Sequence, residues 1–200
     1  MAVIGITGGV ASGKSSLTSR LAPRLAAKVF DADAAARDLV ENDAEAQRQI
    51  AERFGAQILE ADGRVNRVRL REVVFGDAEK RRALEAILHP LIRARWAAQA
   101  QAARRNGEWL LVDIPLLYET GAEAECDAVV VVACSPETQR ERIVLQRRLS
   151  PEMAEKMIAS QTSLASKAAR ADYVLWNDAP RARLEEQAEL LAGYLGKRYG

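Results

Sequence analysis

The segment Gly8-Gly9-Val10-Ala11-Ser12-Gly13-Lys14-Ser15 decides the fold. It is a complete G-x-x-x-x-G-K-[S/T] phosphate-binding loop (P-loop), and it lies between an apolar run typical of a strand and a run with the pattern of a helix. In such a loop the backbone N–H groups converge on phosphate oxygens, and the helix N-terminus adds the positive end of its dipole. We therefore expect nucleotide phosphates to bind here; the alternative is a glycine-rich turn that binds nothing.

Three residues in and near the loop match the needs of a nucleotide and a metal ion. Lys14 is expected to reach the β- and γ-phosphates, and Ser15 is expected to bind Mg²⁺. A P-loop also needs an acid at the end of a buried strand to hold magnesium or its water, and Asp113 follows four apolar residues in Trp109–Asp113. The alternative for Asp113 is a strand-end carboxylate that caps the next turn or helix.

A pair of acids lies at the end of the predicted strand Lys28–Asp31, in the segment Asp31-Ala32-Asp33. The carboxyl ends of strands in an open α/β sheet face the ligand crevice, so one carboxylate is expected to face the phosphates. Asp31 and Asp33 would point the same way if the strand continued, so their spacing does not separate a general base from a bystander. Both acids could instead only favour a helix N-terminus.

Short apolar runs bounded by turn residues alternate with helical patterns along the chain. This alternation predicts an α/β fold with a parallel sheet of about five strands flanked by helices. The run Val129–Val132 is apolar throughout, as expected in the middle of a sheet covered on both faces. The predicted strands are Val3–Thr7, Lys28–Asp31, Trp109–Asp113, Ala128–Ala133 and Tyr173–Trp176.

The segment between the second and third strands is far longer than one crossover helix needs, so a helical insertion is expected there. Asp77 can cap a long amphipathic helix that ends near Asn106-Gly107, and Pro90 should kink that helix. A last amphipathic helix should follow Pro180. The predicted domains are a nucleotide-binding core (1–33, 107–135 and 169–200), a helical acceptor-substrate insertion (34–106) and a lid hairpin (136–168).

Two capping signals predict the lid hairpin. Ser135-Pro136-Glu137 and Ser150-Pro151-Glu152 each supply an N-cap hydroxyl, a proline at the first helical position and an acid in the first turn. The predicted helices cover about 136–148 and 151–168. Arginine suits a charged phosphoryl group because its planar fork stays ionised, although an exposed helical arginine can also be merely solvated. The arginines concerned are Arg140, Arg142, Arg147 and Arg148.

Composition narrows the class of protein further. The chain has 200 residues, a net charge of +1 and 48% hydrophobic residues, which disfavours disorder and a general nucleic-acid-coating role. Its longest wholly apolar run, Ala128–Cys134, is far short of a membrane span, and the N-terminus lacks the basic start of a signal peptide. We expect a cytoplasmic protein without membrane or nucleic-acid partners. Cys126 and Cys134 are expected to be structural thiols.

Missing motifs also discriminate between classes of P-loop protein. No Asn-Lys-x-Asp sequence, which reads guanine in GTPases, and no second Walker motif or long helical extension occurs. A short chain with inserted helices after the second strand and an arginine-rich hairpin after the fourth fits a small-molecule kinase. A non-catalytic, ATP-gated binding module is the alternative of a different class, and it would not need Asp33 beside the phosphates.

Nearly the whole chain resembles the dephospho-CoA kinase family. The resemblance rests on the P-loop together with a set of short segments that are more specific than the loop alone. These segments are Asp31-Ala32-Asp33, Asp62-Gly63 with Arg67 and Leu70, Val74-Phe75, His89-Pro90-Leu91-Ile92, Asp113 to Glu119, Ser135 to Gln139 with Arg142, Gln161, and Ala171 to Val174 with Asn177.

The resemblance implies ATP-dependent phosphorylation of the ribose 3′-hydroxyl of dephospho-CoA, with Mg²⁺, as the final step of coenzyme A synthesis. It implies that Ala11–Ser16 binds the ATP phosphates, that Asp33 is the base, and that Arg142 and Asn177 flank the nucleotide. A nucleoside or nucleotide kinase with the same core is the alternative enzyme.

The resemblance also assigns the acceptor side to two segments, His89-Pro90 and Pro115-Leu116-Leu117. Taken alone, His89 would be a helix-kink or core histidine. The chain departs from the family pattern at Ala11 and Ser16, where glycine and threonine are frequent, and at Gln146, where an arginine is expected. Arg147 or Arg148 could replace that arginine.

Overall fold

The computed structural model describes residues 1–147 and 149–200 and contains a five-stranded parallel sheet. The strand order is β2-β3-β1-β4-β5, and every pairing between neighbours is parallel. The α/β prediction is confirmed, and each predicted strand is present to within one residue at its ends. The strands are β1 (Val3–Gly8), β2 (Lys28–Asp31), β3 (Leu110–Asp113), β4 (Ala128–Ala133) and β5 (Tyr173–Trp176).

The helices separate these strands in the expected alternation. Their bounds are α1 (Lys14–Leu25), α2 (Ala32–Asn42), α3 (Ala44–Phe54), α4 (Arg67–Val74), α5 (Ala78–Asn106), α6 (Pro136–Arg147), α7 (Pro151–Ala159), α8 (Leu164–Arg170) and α9 (Arg181–Tyr199). Short 3₁₀ turns occupy Ala56–Ile58 and Ala122–Glu125. Asp77 caps α5 as predicted, because its carboxylate accepts hydrogen bonds from the backbone N–H groups of Glu79 and Lys80.

Strands β1 and β4 lie inside the sheet, each between two other strands, and this position accounts for their burial. All residues of both strands are buried, and alternate side chains such as Ile4, Ile6 and Val130 pack with apolar residues of α1 and α9. Helix α8 also contacts β1 and β4. Each large apolar side chain buried in this way contributes roughly 1.5–3 kcal/mol, so the sheet forms a firm base for the loops at its carboxyl edge.

The chain divides into two compact units, one formed by residues 1–31 and 99–200 and the other by residues 32–98. The first unit contains the sheet. The second has its own apolar core, in which Leu39, Ile50 and Leu88 are buried together. The division into core, insertion and lid stays a prediction.

The hairpin differs from the prediction in its second helix. Helix α7 ends at Ala159 instead of 168, and a separate helix, α8, begins at Leu164. The hydroxyl of Ser163 accepts a hydrogen bond from the N–H of Ser166, so Ser163 starts a new helix where the prediction continued the old one. In the first unit Ile143 of α6 and Ala154 of α7 pack against Val10 of the P-loop. Arg148 and the side chain of Arg147 lie outside the described residues.

The described helices include none that combines the length and the apolar character of a membrane span.

Candidate active site

The P-loop joins the end of β1 to the first turn of α1 through two left-handed backbone positions. Gly13, the N-cap residue of α1, has φ +98°, and Ala11 has φ +58°. A Cβ atom on Gly13 would overlap the amide nitrogen of Asn177, so both the backbone angle and the available space require glycine there. Ala11 holds a conformation that costs a non-glycine residue about 1–2 kcal/mol, and the surrounding contacts must offset that cost.

Those contacts come from three side chains behind the loop, Gln139, Arg142 and Asn177, which we call the carbonyl clamp. Gln139 donates from Nε2 to the Val10 carbonyl oxygen over 2.8 Å, and Asn177 donates from Nδ2 to the Ser12 carbonyl oxygen over 2.8 Å. Both side chains are buried. Because the clamp binds loop carbonyls, it favours a loop conformation whose N–H groups are presented on the opposite side.

Arg142 completes the clamp through backbone oxygens. Its Nη1 lies 3.4 Å from the Ser12 carbonyl oxygen and 3.5 Å from that of Ala11, while Nη2 donates to the Asn177 carbonyl oxygen over 2.6 Å. The resemblance placed Arg142 and Asn177 beside the nucleotide. In the structure they lie against the loop that is expected to bind its phosphates.

Asp178 links the two segments that carry the carbonyl clamp, which are helix α6 and the residues after β5. Its carboxylate accepts the backbone N–H of Ser135, at 2.8 Å, just before α6 begins. Partial burial would raise the pKa of Asp178, but hydrogen bonds from Ser135 and Thr138 and the nearby charge of Arg142 outweigh it and hold the pKa below its ordinary value. The ends of β4 and β5 are therefore linked next to the P-loop.

Asp113 lies at the end of β3, opposite Ile6 of β1 in the parallel register, and is 8% exposed. Its Oδ2 lies 3.3 Å from the hydroxyl of Thr18 in α1. Ser15 and Thr18 are three residues apart and share one side of the helix. The tertiary structure thus brings Asp113 to the side of α1 that carries the predicted magnesium ligand.

The donors of this site fit Mg²⁺. A serine hydroxyl and an aspartate carboxylate are hard oxygen ligands, and Mg²⁺ is commonly held by only one or two carboxylates together with substrate phosphates and water. The part of the chain that the structure describes contains no cluster of three or more histidine, cysteine or acidic residues able to hold a metal by itself. The donor types of Ser15 and Asp113 therefore fit an Mg²⁺ ion that is bound together with nucleotide phosphates.

Asp31 and Asp33 lie on two different elements. Both are exposed, but Asp31 is the last residue of β2 and pairs with Asp113 in the parallel register, whereas Asp33 lies in the first turn of α2. The strand does not continue, so the two carboxylates do not share a strand face. Asp31 belongs to the first compact unit and Asp33 to the second.

The second unit also holds both residues of the His89-Pro90 segment. They lie inside α5, where His89 is half-buried and Pro90 is exposed.

The Pro115-Leu116-Leu117 segment forms a turn that is separated by one residue from the end of β3, in the first unit. The Pro115 carbonyl oxygen accepts hydrogen bonds from the Thr7 hydroxyl, at 3.1 Å, and from Lys167 Nζ, at 2.8 Å. Leu117 is completely buried. The turn is thus fixed to both β1 and α8.

Sequence reasoning assigned no role to Gln139 or Lys167. Gln139 lies four residues before the buried Ile143, and an amide on the apolar side of a helix was the available signal. Lys167 offered no comparable signal, because lysines are common on short surface helices.

A family model for dephospho-CoA kinase matches residues 2–182 of the chain. The chain belongs to the dephospho-CoA kinase family. Curated dephospho-CoA kinases agree across almost the full length. That of Anaeromyxobacter dehalogenans is 44% identical over 99% of this chain and 94% of its own, and that of Bacillus cereus is 40% identical over 94% of each.

Solved structures extend the similarity to the fold. The dephospho-CoA kinase from Campylobacter jejuni has 26% identity, a TM-score of 0.67 and 96% coverage of both chains. A shikimate kinase from Acinetobacter baumannii, with 14% identity and a TM-score of 0.56 over 100% of this chain and 96% of its own, shares the fold alone. The chain that carries the P-loop, the carbonyl clamp and Asp113 thus shares both its family and its fold with dephospho-CoA kinases.

Proposed function

We propose that the chain transfers the γ-phosphoryl group of ATP to the ribose 3′-hydroxyl of dephospho-CoA, which yields coenzyme A and ADP. The observation that carries the proposal is the family match over residues 2–182, which includes an intact P-loop. The shaped loop, with its carbonyls bound from behind, supports the ATP half of the reaction. The identity of the acceptor rests on the family.

In this reaction one oxygen–phosphorus bond forms at the acceptor hydroxyl and the bond between the γ-phosphorus and its bridging oxygen breaks. The loop N–H groups, including those of the Ala11–Ser16 segment, and Lys14 orient the phosphates and stabilise their charge. Asp33 receives the proton of the hydroxyl. ADP leaves with the electron pair of the broken bond. Positioning and charge stabilisation supply most of the rate enhancement in such transfers.

Ser15 and Asp113 are the proposed protein ligands of Mg²⁺ or of its bound water. The ion, when bound, supplies positive charge to the β- and γ-phosphate oxygens. Thr18 orients the Asp113 carboxylate from α1. These residues act before and during transfer by holding one arrangement of the phosphates.

Arg142 has two roles in the proposal. Its contacts with the carbonyl oxygens of Ala11, Ser12 and Asn177 hold the loop. A guanidinium carries five N–H donors, so the remaining donors can bind an oxygen of the nucleotide. We propose that the acceptor substrate binds to His89, Pro90 and the Pro115-Leu116-Leu117 turn.

We place this activity in the cytoplasm, acting on small molecules without nucleic-acid or membrane partners. The unpaired thiols of Cys126 and Cys134 support a reducing compartment. Burial raises the pKa of the Cys126 thiol to about 12, so it stays protonated and unreactive at neutral pH.

The decisive experiment incubates the purified protein and Mg²⁺ with ATP and one acceptor at a time, and follows products by mass spectrometry. Dephospho-CoA should gain one phosphate and give coenzyme A, identified by comparison with authentic material, while nucleosides and nucleotides should react far more slowly. Faster transfer to a nucleoside or nucleotide would support the alternative kinase. ATP binding without transfer to any acceptor would support a binding module.

A further inference from the structure

Lys167 of α8 has a side chain with no exposed surface. Its ammonium group donates to the Pro115 carbonyl oxygen over 2.8 Å and forms an ion pair with Glu119 Oε1 at 3.0 Å. Pro115 begins the Pro115-Leu116-Leu117 turn, and Glu119 lies two residues after Leu117 in the same run of turn residues, 115–121. The turn and α8 are therefore joined by a buried charge.

Burying the charged side chain of a lysine has a high free-energy cost. Removing an ammonium ion from water costs several kcal/mol, and an apolar residue of similar volume often stabilises a fold equally well or better. What the ammonium provides in addition is direction, because it binds a carbonyl oxygen and a carboxylate at defined positions. These directed contacts indicate that Lys167 fixes the geometry of the turn.

The turn lies where such geometry would matter. The carboxyl ends of parallel strands form the ligand side of an α/β sheet, and Pro115 lies two residues after Asp113, the last residue of β3. The Pro115 carbonyl oxygen also accepts from Thr7 near the end of β1, so Lys167 and Thr7 hold the same atom from two elements. Displacement of Lys167 would therefore release one of these two restraints.

Glu119 extends the contact to the segment between α7 and α8. Its Oε1 accepts the backbone N–H of Thr162 over 2.8 Å in addition to pairing with Lys167. Burial would raise the pKa of Glu119, but the hydrogen bonds from Thr162 and Lys167 prevail and lower it. The carboxylate is thus ionised at neutral pH and bridges two elements.

We propose that Lys167, acting with Glu119, is a positioning residue for the acceptor substrate because it holds the Pro115-Leu116-Leu117 turn in its binding conformation. This inference rests on the proposed function, which assigns that turn to the acceptor side. Lys167 itself touches neither substrate. Its loss should weaken acceptor binding while the P-loop, which it does not contact through these bonds, continues to bind ATP.

The test is a kinetic comparison of wild type, Lys167→Met and Lys167→Arg with dephospho-CoA and ATP varied in turn. The methionine variant keeps most of the volume and loses the donors. We expect its KM for dephospho-CoA to rise roughly 10-fold, equivalent to about 1.4 kcal/mol, with the KM for ATP changed less than about twofold. The arginine variant keeps the charge and should recover part of the loss.

Lys197→Met is the matched control, since Lys197 is exposed in the last turn of α9. It should match wild type. Equal rises in both KM values, or a lower unfolding temperature with both KM values unchanged, would overturn the positioning role.

Glu119→Gln provides the second test if Lys167→Met fails to fold. Glutamine keeps an oxygen for Thr162 and loses the ionic partner of Lys167, so the KM for dephospho-CoA should rise alone and by a smaller factor. A folded Glu119→Gln enzyme with no such split would overturn the inference. Wild-type protein that cannot phosphorylate dephospho-CoA would instead show that the proposed function is wrong, so the two failures are distinguishable.

Discussion

The side-chain amide of Asn177 donates to the carbonyl oxygen of Ser12 over 2.8 Å, so the residue after β5 holds the loop after β1. The same amide occupies the space that a Cβ atom on Gly13 would need. One contact thus orients the phosphate-binding loop and explains why glycine is required at position 13. The P-loop and the carbonyl clamp form one structural unit from three separate segments of the chain: the loop after β1, helix α6 and the residue after β5.

Replacement of Gly13 by alanine tests the contact between the P-loop and Asn177. Gly13→Ala should reduce ATP affinity at least about fivefold, because a left-handed backbone position strains alanine by about 1–3 kcal/mol and the new methyl group displaces Asn177. Gly193→Ala is the control, since it lies in α9 with open space around it and should stabilise the fold slightly. Calorimetric titration with ATP measures the difference, and equal affinities in both variants would contradict the clamp.

Lys14→Ala should abolish phosphoryl transfer and leave the fold intact. The substitution removes a positive charge from the β- and γ-phosphates and little buried area. Lys28→Ala, at the exposed amino end of β2, should retain activity. Turnover assays with circular dichroism spectra as a check on folding compare the two, and wild-type-like turnover in Lys14→Ala would refute the phosphate-binding assignment.

Asp33→Asn should lower turnover by roughly 10²–10⁴-fold, the usual contribution of a positioned general base. Asparagine keeps the size of the side chain and can still favour a helix N-terminus, but it cannot take the proton. ATP affinity should barely change, because the P-loop is untouched. Asp31→Asn should cost less. Steady-state kinetics with both variants decides between them, and near-normal turnover in Asp33→Asn would remove its assignment as the base.

Ligand binding should protect α6 and α7 from amide exchange. Helix α6 carries Arg140 and Arg142, and the two helices pack on Val10 of the P-loop through Ile143 of α6 and Ala154 of α7. Closure over bound phosphates would tighten this packing and slow local opening. Hydrogen exchange measured with and without ATP plus acceptor is the test. Unchanged protection in both helices would argue against a lid.

Asp43 should make stability depend on pH within the second unit. The N–H of Ala46 above all, and Arg95, hold the pKa of Asp43 below its ordinary value of 3.8 despite the effect of burial. Its stabilisation is therefore complete above about pH 4 and lost as pH falls through the lowered pKa. Asp43→Ala should lose roughly 1 kcal/mol at pH 7 and less near pH 2, as measured by urea unfolding. A loss independent of pH would contradict the role of the charged cap.

Local patterns in the sequence were enough to predict much of the molecule. The P-loop, the strands and the helix caps at Asp77 and Ser150 depend on residues close together in the chain, and the structure has each of them. Repeated apolar spacing also indicated the buried side of α9, where Leu184 and Leu195 are in the core. Short-range rules suffice here because backbone conformation and burial periodicity act over a few residues.

The break between α7 and α8 could be predicted only in part from local sequence patterns. Ser163 is a capping residue, but serine also occurs inside helices, and the Thr162 N–H gains its partner from Glu119, far away in the sequence. The cap at Ser163 is a local signal that the sequence contains. The hydrogen bond from Thr162 to Glu119 forms only in the folded chain.

The sequence by itself determined that this protein has a phosphate-binding loop on a parallel α/β sheet, since those features follow from local spacing. Only the tertiary structure decided that Gln139 and Asn177 support the loop, that Asp113 meets Thr18, and that Lys167 is buried against the turn after β3. The physical reason is that each of these hydrogen bonds joins residues far apart along the chain. Their geometry comes into existence only when packing of the sheet and helices brings the partners together.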